Sequence, residues 1–174
     1  MIARRSMAYV AALLAAVGLV DNPAAAHSAS DAYLTLTVGA PSPSGTVIHG
    51  QWDIALRDLD FVLKLDQDGD GRLTWGEVRR HQAAIESYAY RYLELGGKCT
   101  IKPGPQMVDE HADGAYAALF FDVFCPRQPA KIDLHYSLFF AIDPSHRGIF
   151  VMNSAGEVAT ALLSPKNDHI NLGL

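Results

Sequence analysis

The chain has 174 residues, of which 49% are apolar and 19% charged. That balance suits one globular domain with a core of its own and excludes a disordered segment. Its net charge of −5 argues against a nucleic-acid partner, because phosphate recognition needs a basic face.

The first 26 residues have the layout of a secretory signal peptide. Arg4 and Arg5 form a positive start, residues 7–20 are apolar, and Asn22-Pro23 break that stretch ahead of Ala24-Ala25-Ala26. The apolar part is shorter than the roughly 20 residues of a membrane span. Cleavage is expected after Ala26, leaving His27 as the first residue of a periplasmic or secreted domain. Loss of Arg4, Arg5 and Asp21 takes the net charge from −5 to −6.

Residues 32–38 alternate apolar and polar side chains, which predicts a strand with one buried face. Residues 39–45 form a Pro/Gly/Ser loop, and 46–54 read as the returning strand. The period then becomes helical. Residues 55–65 and 77–95 predict two helices, the second stopped by Gly96-Gly97. Short strands are expected at 99–101, ended by Pro103 and Pro105, and at 107–111 and 115–125 around the turn Ala112-Asp113-Gly114. Others are expected at 131–142, 148–152 and 158–163. The expected fold is α+β: a mainly antiparallel β-sandwich over residues 27–165 with a helix–loop–helix inserted at 55–95, and a C-terminal tail at 166–174 without a clear element. Export makes the two cysteines, Cys99 and Cys125, a disulfide by expectation, since an oxidising compartment favours pairing and neither sits in a C-x-x-C motif.

Between the two predicted helices lies DQDGDGRLTWGE, residues 66–77. Ca²⁺ takes six to eight oxygen ligands in a flexible shell, and a twelve-residue loop supplies them from alternating positions. Asp66, Asp68 and Asp70 occupy positions 1, 3 and 5, and Gly71 at position 6 permits the sharp turn. Arg72 at position 7 would contribute its backbone carbonyl, Thr74 its hydroxyl or a water, and Glu77 at position 12 both carboxylate oxygens. Leu73 is the expected apolar anchor. The pattern D-x-[DN]-x-[DN]-G-x₅-E is matched throughout. Residues 55–93 thus resemble the EF-hand family, which implies one bound Ca²⁺. A second hand is not found: residues 109–120 carry Asp109, Asp113 and Gly114 in register but end on Phe120. A lone hand on an exported domain points to structural calcium, of the weak extracellular type.

A broader resemblance is carried by AHSASDAYLTLTV and GQWDIALRDLDFVLKLDQDGDG. Residues 26–165 are similar to the extracytoplasmic N-terminal region of HupE/UreJ-type membrane proteins. That resemblance implies, as an alternative role, a periplasmic accessory domain for nickel, cobalt or copper handling with a membrane permease as partner. In that family a membrane domain usually follows, so the chain reads as a free-standing or truncated soluble region. The nitrogen donors suited to such ions are histidines, of which there are seven. His27 would offer its amine and imidazole, although a solvated terminus is the plainer reading; His49 and His135 fall in predicted strands as polar-face residues. Asp58 and Asp60 read as a solvated helix face. No nucleophile elbow and no phosphate-binding glycine loop is present, so no enzymatic activity is expected.

Overall fold

The computed structural model describes residues 30–173 apart from 44 and 128. The expected signal peptide and His27 lie outside the described residues. Among them the chain forms nine strands: β1 (Asp31–Val38), β2 (Thr46–Ala55), β3 (Leu93–Leu95), β4 (Thr100–His111), β5 (Gly114–Cys125), β6 (Lys131–Tyr136), β7 (Arg147–Ser154), β8 (Glu157–Leu163) and β9 (His169–Gly173). Three helices, α1 (Leu56–Leu63), α2 (Trp75–Arg80) and α3 (Gln82–Ala89), and a 3₁₀ turn at Tyr90–Tyr92 are inserted between β2 and β3. The fold is α+β and mostly strand, in a sandwich-like arrangement of two sheets. One sheet has the order β4-β5-β2-β1-β7-β8 and the other β3-β6-β9. All pairings are antiparallel except β1 with β7.

The period-2 pattern decides which face each strand buries. Ala32, Leu34 and Leu36 of β1 are fully buried, as are Ile48, Trp52 and Ile54 of β2. Leu34 pairs with Trp52, and Leu36 with Gly50. Leu134 and Tyr136 of the smaller sheet face the same core. Trp52 joins the layers: its ring centroid lies 5.6 Å from Tyr136 and 6.4 Å from Tyr90. Gly50 makes room for Phe121, since a Cβ there would come within 2.2 Å of that ring. Phe121 is only 3% exposed and cannot swing into solvent. Gly50→Ala is therefore expected to destabilise the fold by about 2 kcal/mol through overpacking. Urea unfolding measures this, and an unchanged midpoint would contradict the packing described.

Several elements depart from the sequence reading. The predicted helix 77–95 breaks at His81, whose amide is shared between the carbonyls of Glu77 and Val78 while its Nδ1–H donates to Glu77 O at 2.9 Å. Its last residues become β3, because Leu93 and Leu95 pair with Tyr136 and Leu134; the unfilled edge of β6 outcompetes helical propensity. The strand expected to stop before Pro103 runs on as β4. It lies at a sheet edge, where prolines are tolerated, with a register shift between Pro103 and Gln106. The strand predicted for 131–142 ends at Tyr136, and the chain turns through Phe139 at φ 60° so that Leu138 and Phe139 are buried. The supposed tail forms β9 on β6, with Ile170 buried between exposed His169 and Asn171.

The disulfide is formed: Cys99 and Cys125 are bonded, with their Cα atoms 4.2 Å apart. It ties the start of β4 to the end of β5. Among the described residues no helix is long and apolar enough to cross a membrane.

Candidate metal centre

The loop 66–77 leaves α1 through Lys64, which adopts the left-handed conformation (φ 54°) with its amide on Asp60 O at 2.8 Å. Leu65 then drops into the core, fully buried. The Asp66 amide donates to Asp60 Oδ1 at 2.9 Å, so Asp60 holds the loop entrance and is more than a solvated helix residue. Both Asp66 oxygens accept loop amides, Oδ1 from Gly69 at 2.8 Å and Oδ2 from Gly71 at 2.9 Å. The Asp70 amide donates to Asp68 Oδ1 at 3.2 Å, and the Arg72 amide to Asp70 Oδ1 at 2.8 Å. Gly71 has φ 77°, the left-handed turn its position required. Leu73 is half-buried against the core as an anchor.

These bonds gather the acids. One carboxylate oxygen each from Asp66, Asp68 and Asp70 lies within 4.8 Å of the others. A cation held at about 2.3–2.6 Å from each oxygen requires separations no larger than roughly 5 Å, so the trio fits a single Ca²⁺. Glu77 closes the loop from α2. Its Oε1 accepts from the Gln67 amide at 3.0 Å, and its Oε2 from the Thr74 amide at 2.9 Å and the Thr74 hydroxyl at 2.7 Å. Thr74 and Glu77 thus form a capping box at the start of α2. The Thr74 hydroxyl is taken up by that box. Hydrogen bonds from Thr74 and Gln67 hold the Glu77 carboxyl down at about 2. It is therefore anionic at neutral pH. The stability this confers is in place above pH 4.5 and is lost as pH falls toward 2.

Among the described residues two more groups with metal-ligating chemistry occur, both assembled only by strand pairing: His135 with Asp168 and His169, and Asp53 with Asp109 and His111. In the second, Asp53 is 7% exposed and both its oxygens accept from Gln51 Nε2. His111 is stacked 4.1 Å from Tyr116. His49, expected on a polar face, is exposed and bonded to Asp122 at 2.7 Å.

Asp58 belongs to a polar chain that sequence reading missed. Ser30 Oγ donates to Asp58 Oδ2 at 2.9 Å and lies 2.6 Å from His146 Nδ1; Tyr136 Oη is 2.8 Å from His146 Nε2. The serine has one hydroxyl proton, so His146 Nδ1–H donates to Ser30 and Nε2 accepts from Tyr136. The imidazole is neutral, and burial pushes it down to about 4. Between pH 6.5 and 4 the unfolded chain binds the proton that the folded chain refuses, so stability falls on acidification. Asp58, raised by burial, acts with the opposite sign just above pH 3.8. The loss expected from His146 alone across that window is about 3 kcal/mol. His146→Asn should flatten the dependence of melting temperature on pH there; a slope equal to wild type would contradict a neutral buried imidazole.

Neither a protein-family model nor a curated protein matches this chain.

Proposed function

We propose that residues 66–77 are an EF-hand that binds one Ca²⁺, and that the ion braces an exported, non-enzymatic domain. The observation that carries this reading is the convergence of Asp66, Asp68 and Asp70 within 4.8 Å on a twelve-residue loop closed by Glu77. In the bound state those three aspartates, the Arg72 carbonyl, Thr74 directly or through a water, and both Glu77 oxygens would supply the oxygen shell that Ca²⁺ prefers. Bidentate binding by Glu77 would replace its bond to the Thr74 hydroxyl. The rest of the loop is already shaped by the amides that Asp66 holds, which lowers the cost of ordering it. Without a cation, four carboxylates crowd one loop and repel.

The brace role follows from where the loop attaches. Leu65 and Val78, at its two ends, are both buried in the core shared by the sheets. Drawing the loop together thus fixes α1 and α2 against that core. The disulfide is consistent with a periplasmic or extracellular setting, where millimolar calcium saturates a site of about 10⁻⁴–10⁻³ M. Calorimetric titration of the oxidised protein with CaCl₂ is expected to show one site in that range, with Mg²⁺ much weaker. Absence of saturable heat up to about 10 mM would reject the reading.

The alternative role, in nickel, cobalt or copper handling beside a membrane permease, rests on the HupE/UreJ resemblance. His27, its sequence candidate, lies outside the described residues.

A further inference from the structure

The smaller sheet carries a row of polar side chains across all three of its strands. Glu94 on β3 pairs with His135 on β6, and His135 pairs with His169 on β9. Their neighbours Leu93, Leu134, Tyr136 and Ile170 point into the core, so the period of two puts this row on the outer face. The two imidazoles stack with centroids 4.4 Å apart. Asp168, the residue before β9, reaches between them: Oδ1 lies 2.7 Å from His169 Nδ1 and Oδ2 3.4 Å from His135 Nε2. One ligand atom from each of His135, Asp168 and His169 lies within 4.8 Å of the others.

We infer that His135, Asp168 and His169 form a second metal site, selective for a divalent transition ion over calcium. Two imidazole nitrogens and one carboxylate suit Zn²⁺, Ni²⁺, Co²⁺ or Cu²⁺ and are a poor set for Ca²⁺, which takes oxygen. Bonds of about 2.0–2.2 Å to a tetrahedral ion put ligand atoms roughly 3.4 Å apart, so the ion would replace the 2.7 Å contact between Asp168 and His169 through a rotamer adjustment. His169, 64% exposed, is free to make it, while His135 is set on the central strand. The other nitrogen of His135, Nδ1, faces Glu94 Oε2 at 4.0 Å. That is beyond hydrogen-bond range. A rotation of the exposed Glu94 side chain would bring its carboxylate onto Nδ1, where it would fix the tautomer of the ligating imidazole as a positioning residue. Three ligands leave a coordination position open to water or to a group from another molecule.

The site is independent of the calcium loop and is tested with that loop saturated. The oxidised protein in excess CaCl₂ is titrated with ZnCl₂ and NiCl₂ by calorimetry, and with CoCl₂ by visible absorption. One equivalent is expected to bind, with ligand-field bands from nitrogen and oxygen donors. His169→Ala, on an exposed edge strand, should weaken it by about 100-fold, and Glu94→Gln by roughly tenfold, with unchanged circular dichroism. His111→Gln and His27→Ala should bind as wild type. No saturable binding in the wild type would overturn the assignment. So would wild-type affinity in His169→Ala, or a loss confined to His111→Gln or His27→Ala.

Discussion

Glu77→Gln is expected to lower calcium affinity by about a hundredfold and to remove the thermal shift that calcium produces in the parent chain. Glutamine at the third helical position still completes a capping box with Thr74. The apo variant should therefore fold, but melt below the apo parent, because the glutamine NH₂ cannot accept the amide bond that one Glu77 oxygen takes. What glutamine cannot supply is the negative charge and the second carboxylate oxygen. In the parent, a ligand that binds only the folded state stabilises it by RT ln(1 + [L]/Kd). For a Kd near 10⁻⁴ M and about 5 mM Ca²⁺ this is about 2 kcal/mol. On a domain of this size that is a rise of roughly 4–8 °C by differential scanning fluorimetry. An equal shift in Glu77→Gln would remove Glu77 from the ligand set. No shift in either protein would remove the calcium reading itself. Because Glu77 already serves the loop amides of Gln67 and Thr74, the two measurements separate its structural part from its ligand part.

Breaking the Cys99–Cys125 bond should have the larger effect on stability. The bridge spans 26 positions in sequence, and closing a loop of that length removes about 3 kcal/mol of chain entropy from the unfolded state. Cys125 is 1% exposed, so the replacement must stay small and apolar to avoid an additional polar burial cost. The Cys99→Ala/Cys125→Ala double variant is expected to melt roughly 10 °C below the oxidised parent. Dithiothreitol should lower the parent to a similar value and leave the variant unmoved. Coincident melting of oxidised and reduced parent, with free thiols verified, would show that the β4–β5 pairing alone fixes this end of the sheet.

The parts of the molecule legible in the chain were those set by local chemistry. The alternation of Ala32, Leu34 and Leu36, and of Ile48, Trp52 and Ile54, depends on a period of two that any strand imposes. The loop 66–77 was legible because its spacing encodes its own geometry: Asp66 accepts the amides of Gly69 and Gly71, three and five positions on. The paired cysteines needed only the expectation of an oxidising compartment.

Tertiary structure decided everything that depends on a distant partner. Residues 93–95 follow a helical stretch, yet they extend because β6 offers an edge whose backbone groups would otherwise lack partners. His169 and Asn171 gave the last strand a polar look, and only Ile170 and Leu172 beneath them explain it. Asp58, placed on a solvated helix face by its spacing, meets Ser30 at 28 positions' separation, and Ser30 meets His146 at 116. His135 and His169 share no motif, since the register of two antiparallel strands, and no spacing along the chain, sets them side by side. The sequence by itself thus determined an acidic twelve-residue loop and the strands and bridge of an α+β domain. Only the pairing of strands determined where its buried histidine, its histidine pair and its final strand would lie. The physical reason is that loop ligands are gathered by bonds a few residues long, whereas cross-strand neighbours are gathered by a core that the whole chain must first assemble.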